Sequence, residues 1–343
     1  MSRILVTGGS GYFGSVLVDQ ARARGDDVRI LDVNPPAPRA GDAVDVVVGD
    51  VRDPDLVARA CEGIDVVHHN VAQVPLARDR DLFWTVNVVG TANVLVAARD
   101  AGVGKVVTTS SSAVYGIPEH NPVDESSPRR PLEAYGRAKL EAEVLCREAA
   151  AAGLDVTVIR PRTILGHGRL GIMVILFELV AEGAAVPVLD GGNNRYQLVH
   201  AEDLAGACLR AGDRSGGLAY NVGATEFGTM RETLEALCTH ARTGARVRSV
   251  PSAPARFAMR AATAAGLAPF APYHWLLYGE SLWFDTTAAQ RDLGWTPAHS
   301  NADMVIESYE WWRAHRHDLS AEGRSHHQSP VRFGLLEVLK RLR

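Results

Sequence analysis

Over about the first 160 residues, short runs of uninterrupted apolar residues alternate with segments whose apolar positions recur every three to four residues. The runs RILVTG (3–8), DVRILDV (27–33), VDVVVGD (44–50), IDVVHHNVA (64–72), KVVTTSS (105–111) and DVTVIRP (155–161) read as strands. The segments SVLVDQARARG (15–25), DLVARACEG (55–63), FWTVNVVGTANVLVAARDAG (83–102) and PLEAYGRAKLEAEVLCREAAAAG (131–153) read as helices. A strand covered on both faces carries continuous Val and Ile in place of an apolar/polar alternation. Six such strands separated by helices predict an α/β fold with a doubly wound parallel sheet.

Beyond about residue 165 the pattern becomes irregular. MVILFELVAEG (173–183), AEDLAGACLRAG (201–212), FGTMRETLEALCTHARTG (227–244) and ADMVIESYEWWRAH (302–315) read as helices, and LAYNVG (218–223) as a strand. Pro and aromatic residues crowd 251–284. The expected organisation is a first domain over 1–165, to which segments near 195–223 return, and a smaller interleaved C-terminal lobe over 166–315. A tail over 316–343 follows. In it, Leu335, Val338, Leu339 and Leu342 form one helical stripe, with Lys340, Arg341 and Arg343 on other faces. Such a basic amphipathic helix either lies on an anionic membrane surface or docks on the chain's own body or a dimer partner.

Composition narrows the function classes. The chain has 343 residues, a net charge of −4 and 46% hydrophobic residues, which gives no sign of a nucleic-acid binder. Cys61, Cys146, Cys208 and Cys238 are far apart with no CxxC, which suits a reducing compartment and argues against a disulfide framework. The residues after Met1 form no secretory signal pattern. The longest apolar run, IMVILF (172–177), falls well short of the ~20 residues of a membrane span. A cytoplasmic location is expected.

The first candidate chemistry is VTGGSGYFGS, between the first strand and the first helix. Gly8, Gly11 and Gly14 form GxxGxxG, and Gly9, Gly11 and Gly14 also satisfy GxGxxG. In a strand–turn–helix context these glycines permit a tight turn, close approach of backbone to a pyrophosphate, and close packing of helix on strand. The helix N-terminus offers free N–H groups and the positive end of its dipole to the anion. Asp32 closes the second strand, where a carboxylate accepts hydrogen bonds from ribose hydroxyls and repels a 2′-phosphate. That favours NAD over NADP, although Arg39 nearby would suit NADP. Asp50, just after the third strand, is placed for an adenine edge.

AYGRAKLEAE (134–143) puts Tyr135 four residues before Lys139, on one helix face. In isolation a YxxxK pair is most simply a Tyr ring packed on a Lys stem. His68 and His69 end the fourth strand pointing to opposite faces, which makes them poor joint metal ligands. No metal site is expected.

Together, TGGSGYFG (7–14), Asp32, DVRD (50–53), NVVGTANVL (87–95), TSSSAVYG (109–116), YGRAK (135–139), RPRTILGHG (160–168), RYQLVHAEDLA (195–205) and FDTTAAQRDLGW (284–295) resemble the extended short-chain dehydrogenase/reductase family. That family contains nucleotide-sugar epimerases, sugar dehydratases and 3β-hydroxysteroid dehydrogenases. The resemblance implies a Rossmann domain with a substrate lobe, NAD as cofactor, and a homodimer formed through the helices at 83–102 and 131–153. It implies that Gly8, Gly11, Tyr12, Phe13, Gly14, Asp32, Asp50, Val51, Asn87, Tyr135, Lys139 and Pro161 hold the cofactor.

Oxidising a carbinol needs a base for its hydroxyl proton, and a phenol of pKa about 10 is a poor one until a nearby cation favours the phenolate. The resemblance makes Tyr135 that acid–base, Lys139 the cation, and Ser111 the hydroxyl that polarises the substrate oxygen, with Ser110 and Ser112 one register away. It also points to Ser111, Ser112, Arg162, Thr163, His167 and Arg195 as substrate contacts. Arg195 either holds a substrate phosphate or pairs on the surface with Glu202. Relatives that dehydrate sugars carry an Asp-Glu pair after the Ser/Thr. Here Ser112 and Ala113 follow. The expected reaction is therefore epimerisation of a nucleotide-sugar at C4. The alternatives are a net dehydrogenase or ketoreductase of the 3β-hydroxysteroid dehydrogenase type and a non-catalytic NAD-binding scaffold or sensor.

Overall fold

The computed structural model describes residues 1–36, 44–73, 80–169, 173–217, 219–264 and 279–317. Arg39, the segment 265–278 and the tail read as a basic helix lie outside the described residues. The first half runs β1 (Arg3–Thr7), α1 (Tyr12–Ala23), β2 (Asp27–Asp32), β3 (Asp45–Val48), α2 (Pro54–Cys61), β4 (Val66–His69), α3 (Arg80–Trp84), a π-helical turn at Thr85–Val89, α4 (Gly90–Asp100), β5 (Lys105–Thr109), α5 (Ala134–Ala151) and β6 (Val156–Pro161). The second half runs β7 (Thr163–Leu165), α6 (Met173–Ala181), β8 (Ala185–Leu189), β9 (Leu198–His200), α7 (Ala201–Gly212), β10 (Ala219–Val222), α8 (Met230–Ala241), β11 (Arg246–Val250), α9 (Ser252–Ala264), α10 (Thr287–Leu293) and α11 (Asn301–His315).

The main sheet has the order β10-β6-β5-β4-β1-β2-β3. Every pairing in it is parallel. The doubly wound sheet expected from the Val/Ile runs is therefore present, with β10 as a seventh strand. β1 and β4 are neighbours although β2, β3 and α2 separate them in sequence, so the winding reverses between them. Ligands bind at the carboxyl ends of strands at such a reversal. Thr7 Oγ1 and His69 Nδ1 lie 2.8 Å apart there, and His69 Nε2 lies 3.0 Å from Thr91 Oγ1. His69 is thus a bracing group between β1, β4 and α4, and burial pulls its pKa down to about 3. His68 packs on the other face against Gly212.

The chain divides into two units, the first formed by residues 1–163, 201–223 and 284–298. In it α2 is capped locally: Asp53 accepts from the Asp55 and Leu56 amides, with Pro54 in the first turn. The run Asp81–Asp100 is long and apolar enough to cross a membrane by length and composition, although polar residues interrupt it. Half of it is buried, against α2 and α5 within this unit.

The second unit takes residues 164–200, 224–283 and 299–343. β8 and β11 pair in parallel, and Phe177, Val186, Leu234, Tyr309 and Trp312 lie in its core. Ser300 and Asp303 make a capping box at the start of α11, as Thr229 and Glu232 do at α8. The short strands β7, β8, β9 and β11 and the helices α9 and α10 have no counterpart in the sequence-based reading.

Candidate active site

The glycine loop lies between β1 and α1 in the first unit, and its geometry tolerates little else. A Cβ on Gly14 would stand 2.0 Å from the Gly8 carbonyl oxygen. Gly8 has φ +74 and passes close to the Asn70–Val71 peptide after β4. Gly11 is the N-cap of α1, makes no side-chain cap, and no acid occupies the first turn. A helix N-terminus with neither a capping side chain nor an acid in its first turn suits an anion. Tyr12 is buried and Phe13 half-buried.

Asp32 closes β2, and its carboxylate is tied to this loop. Oδ2 accepts from the Ser10 amide at 3.1 Å and Oδ1 from the Asn34 amide at 3.0 Å. This donor set, with the tight loop, fits a dinucleotide of the NAD type. Asp50 is held by Arg52 in a salt bridge of 2.6 Å, and that hydrogen bond keeps its pKa below the ordinary carboxylate range. Val51 is buried, and its carbonyl accepts from Asn93. Asn87, in the π-helical turn, closes a two-way amide bridge on Gln73, with both bonds at 3.2 Å.

Helix α5 packs its first turn onto the chain leaving β5. Glu133 caps this helix by accepting from the Tyr135 and Gly136 amides at 2.8 and 2.7 Å. Gly136 is required because a Cβ there would meet the Ala113 carbonyl at 2.7 Å. Tyr135 is half-buried, edge-on to Phe83 at 6.4 Å. Lys139 is buried and donates to the Thr109 carbonyl at 2.9 Å. Burial pulls its pKa down to about 8, against the opposing pull of Glu143.

The three consecutive serines are distinguished by their partners. Ser110 Oγ donates to Glu143 at 2.6 Å. Ser112 Oγ accepts from Arg162 at 2.9 Å. Ser111 is half-buried, and its hydroxyl only accepts a long 3.2 Å contact from the Ala113 amide. Ser111 is thus the serine whose hydroxyl is least committed to the protein.

Beneath them lies a buried polar network that the motifs did not reveal. Arg160 on β6 makes a two-pronged ion pair with Glu143 at 2.9 and 2.8 Å and donates to the Tyr115 hydroxyl. Tyr115 in turn donates to Asn221 on β10. The clue available in the sequence was Glu143 standing one turn after Lys139, but nothing local assigns it a partner on β6.

Pro161 ends β6, and Arg162 extends its ladder by donating its amide to the Val222 carbonyl at 2.9 Å. Arg162 is buried, with its guanidinium 5.7 Å from the centre of the Phe284 ring. Thr163 is half-buried. These residues and Ser111, Tyr135 and Lys139 all belong to the first unit. In the second unit, the Arg195 guanidinium rests against both Phe227 and Trp283, 4.8 and 4.6 Å from the ring centres. His167 is 2.9 Å from Glu307.

Residues 4–223 match the NAD dependent epimerase/dehydratase family. The uncharacterized protein y4nG of Sinorhizobium fredii is 49% identical over 336 residues, spanning 98% of this chain and 85% of its own length. The UDP-glucose 4-epimerase of Mycolicibacterium smegmatis is 31% identical over 332 residues, or 91% of this chain and 98% of that one. The 3 beta-hydroxysteroid dehydrogenase/Delta 5-->4-isomerase of Mycobacterium tuberculosis is 32% identical over 339 residues, or 91% and 90%. Among solved structures, a UDP-glucose-4-epimerase from Stenotrophomonas maltophila with bound NAD and formylated UDP-arabinopyranose superposes with a TM-score of 0.74 at 25% identity. That match covers 93% of this chain and all of the other.

Proposed function

The chain belongs to the NAD dependent epimerase/dehydratase family, and on that footing we propose that it is an epimerase acting on a nucleotide-sugar at C4. The observation that carries this reading is the arrangement at the end of β5: Lys139, one turn after Tyr135 on α5, is bound to the Thr109 carbonyl two residues before Ser111, whose neighbours Ser110 and Ser112 are held by Glu143 and Arg162. The relatives that act on UDP-glucose, matched over nearly their full length, support it.

Tyr135 acts as general base toward the substrate hydroxyl and as general acid on the return. The ammonium of Lys139, one helical turn away, favours the phenolate over the phenol. Ser111 donates its hydroxyl to the same substrate oxygen and fixes it against Tyr135. The glycine loop and Asp32 would hold NAD, which would supply a reversible hydride acceptor. Once the keto sugar has turned its other face to the site, Tyr135 would return the proton to the substrate oxygen. Ser112 and Ala113 offer no acid–base pair for elimination. Arg195, whose guanidinium rests against the Phe227 and Trp283 rings, is a donor for a substrate phosphate. Helices α3, α4 and α5 are the proposed dimer surface, where Trp84, Val89 and Val96 are exposed.

A second reading, net oxidation of a hydroxysteroid or reduction of a ketone, is favoured by the 32% identity with the mycobacterial steroid enzyme. The two separate on one measurement. Freshly purified protein is denatured with no cofactor added, and the released nucleotide is quantified by chromatography. Near-stoichiometric NAD, followed by interconversion of UDP-, GDP- or dTDP-sugar epimers seen by NMR, supports the epimerase. Little bound nucleotide, reversible NADH binding and turnover of a steroid or other ketone support the alternative.

A further inference from the structure

Both ring nitrogens of His69 have partners, and those partners fix which nitrogen carries the proton. Thr91 Oγ1 lies 2.7 Å from the Asn87 carbonyl oxygen. A carbonyl can only accept, so the hydroxyl hydrogen of Thr91 is used there. The 3.0 Å contact between Thr91 Oγ1 and His69 Nε2 therefore takes its hydrogen from the ring. In a neutral imidazole Nδ1 is then an acceptor, and Thr7 Oγ1 donates to it at 2.8 Å. Thr7 in turn accepts from the Asn70 amide at 3.2 Å. These bonds run in one direction, from the Asn70 amide through Thr7, His69 and Thr91 to the Asn87 carbonyl.

Thr7, His69, Asn87 and Thr91 are all buried. Burial alone does not call for such a chain. His68, the residue before on β4, is equally buried, and neither of its ring nitrogens has a hydrogen-bond partner among the described residues.

The two ends of the chain act on the same segment, the one leaving β4. At one end Asn70 is tied to Thr7, the residue before Gly8, and Gly8 passes close to the Asn70–Val71 peptide. At the other, the Asn87 side chain holds the amide and the carbonyl of Gln73. Residues 70–73 are gripped at both ends, and the His69 ring joins the two grips. This segment leaves the carboxyl end of β4 beside β1, at the reversal of winding where a doubly wound sheet takes its ligand.

We propose that His69, as its Nε2-protonated tautomer, is a positioning residue of the cofactor site. It sets the spacing between the glycine loop and residues 70–73, and through that spacing the affinity for the dinucleotide. The inference rests on the reading of the glycine loop as a NAD site. The chain needs a neutral ring, because a second proton would stand on Nδ1, where the Thr7 hydroxyl donates. Burial, and after it the Lys139 ammonium, oppose that second proton by pulling the pKa of the ring down to about 3.

The full chain, freed of bound nucleotide, is titrated with NADH by fluorescence as the wild type, Thr7→Val, Thr91→Val and Thr157→Val. Each valine keeps the side-chain shape and removes one hydroxyl. Thr157 is buried on β6 and donates to the Gly217 carbonyl at 3.0 Å, apart from the His69 chain. The Kd for NADH should rise about tenfold or more in Thr7→Val and Thr91→Val and stay within about twofold of the wild type in Thr157→Val, while all three melt lower. Unchanged affinity in Thr7→Val and Thr91→Val overturns the proposal, and so does an equal loss in Thr157→Val. A wild type that takes up no NADH removes the cofactor reading and the proposal with it, whereas binding by the wild type with unchanged variants removes the proposal alone. The tautomer is read on the wild type itself, which keeps the test decisive if a valine variant fails to fold. Nitrogen NMR of protein labelled with ¹⁵N-histidine, with the His69 signals assigned by their absence from His69→Gln, should show the proton on Nε2 and none on Nδ1 at neutral pH. A proton on Nδ1 overturns the proposal.

Discussion

Lys139 on α5 donates its ammonium to the Thr109 carbonyl at the end of β5, 2.9 Å away. The bond holds the charge at the mouth of the sheet, one helical turn from Tyr135. Burial makes that charge costly, and the pKa falls from 10.5 to about 8. Between these values the unfolded chain binds the proton and the folded chain has released it. Stability from this group therefore rises with pH across about 8 to 10.5, and the full cost of burying the cation applies below 8. Denaturant unfolding of wild type and Lys139→Met at pH 7 and pH 10 should show the wild type gaining on the variant at the higher pH. A constant difference between them would contradict the buried cation.

Tyr135→Phe keeps the ring against Phe83 and removes only the hydroxyl. The rate of substrate interconversion should fall by about 10²–10⁴, the range of a lost general acid–base. Bound NAD, measured by release on denaturation, should stay at the wild-type level. Ser111→Ala should lower kcat, while Ser110→Ala should act on stability through Glu143.

Gly14→Ala forces a methyl group into the space of the Gly8 carbonyl oxygen, 2.0 Å from the site of the new carbon. The loop and α1 must separate, at a cost of about 1–3 kcal/mol for overpacking, and the anion cradle opens with them. The purified variant should carry little NAD and melt below the wild type. Gly102→Ala, where a Cβ meets nothing within 4 Å but φ is +70, should lower Tm and leave cofactor content unchanged.

Glu143 and Arg160 are both almost wholly buried, with side-chain exposures of 2% and 3%. Removing Glu143 leaves the buried Arg160 charge uncompensated, and removing Arg160 leaves buried Glu143 only the longer 3.3 Å contact from Arg129. Glu143→Gln or Arg160→Met alone should each cost about 3–5 kcal/mol of stability. The double variant should cost less than the sum. A double-mutant cycle by denaturant titration measures the coupling, and simple additivity would show that the pair is not a unit.

How much of this could be read along the chain follows from the distance over which each feature is decided. The strands β1 to β6, the glycine loop and the helix bearing Tyr135 and Lys139 were legible because each depends on neighbours in sequence. Continuous Val and Ile mark a strand covered on both faces, glycines at fixed offsets mark a turn no Cβ can enter, and an i, i+4 pair shares a helix face. The short strands β7, β8, β9 and β11 were not legible, since three to five residues carry too little periodicity and acquire their pairing from partners far along the chain.

The side-chain assignments needed tertiary structure for the same reason. Three adjacent serines are chemically alike until Glu143 engages Ser110 and Arg162 engages Ser112. Glu143 was an ordinary helical acid until β6 set Arg160 against it. His69 was a strand-end residue until Thr7 and Thr91 engaged its two ring nitrogens. The sequence by itself determined the sheet, the cofactor loop and the Tyr–Lys pair, because backbone periodicity and local sterics suffice for those. Which polar groups meet in the interior was decided only by packing, where desolvation makes each buried group depend on a partner that the chain brings from a distance.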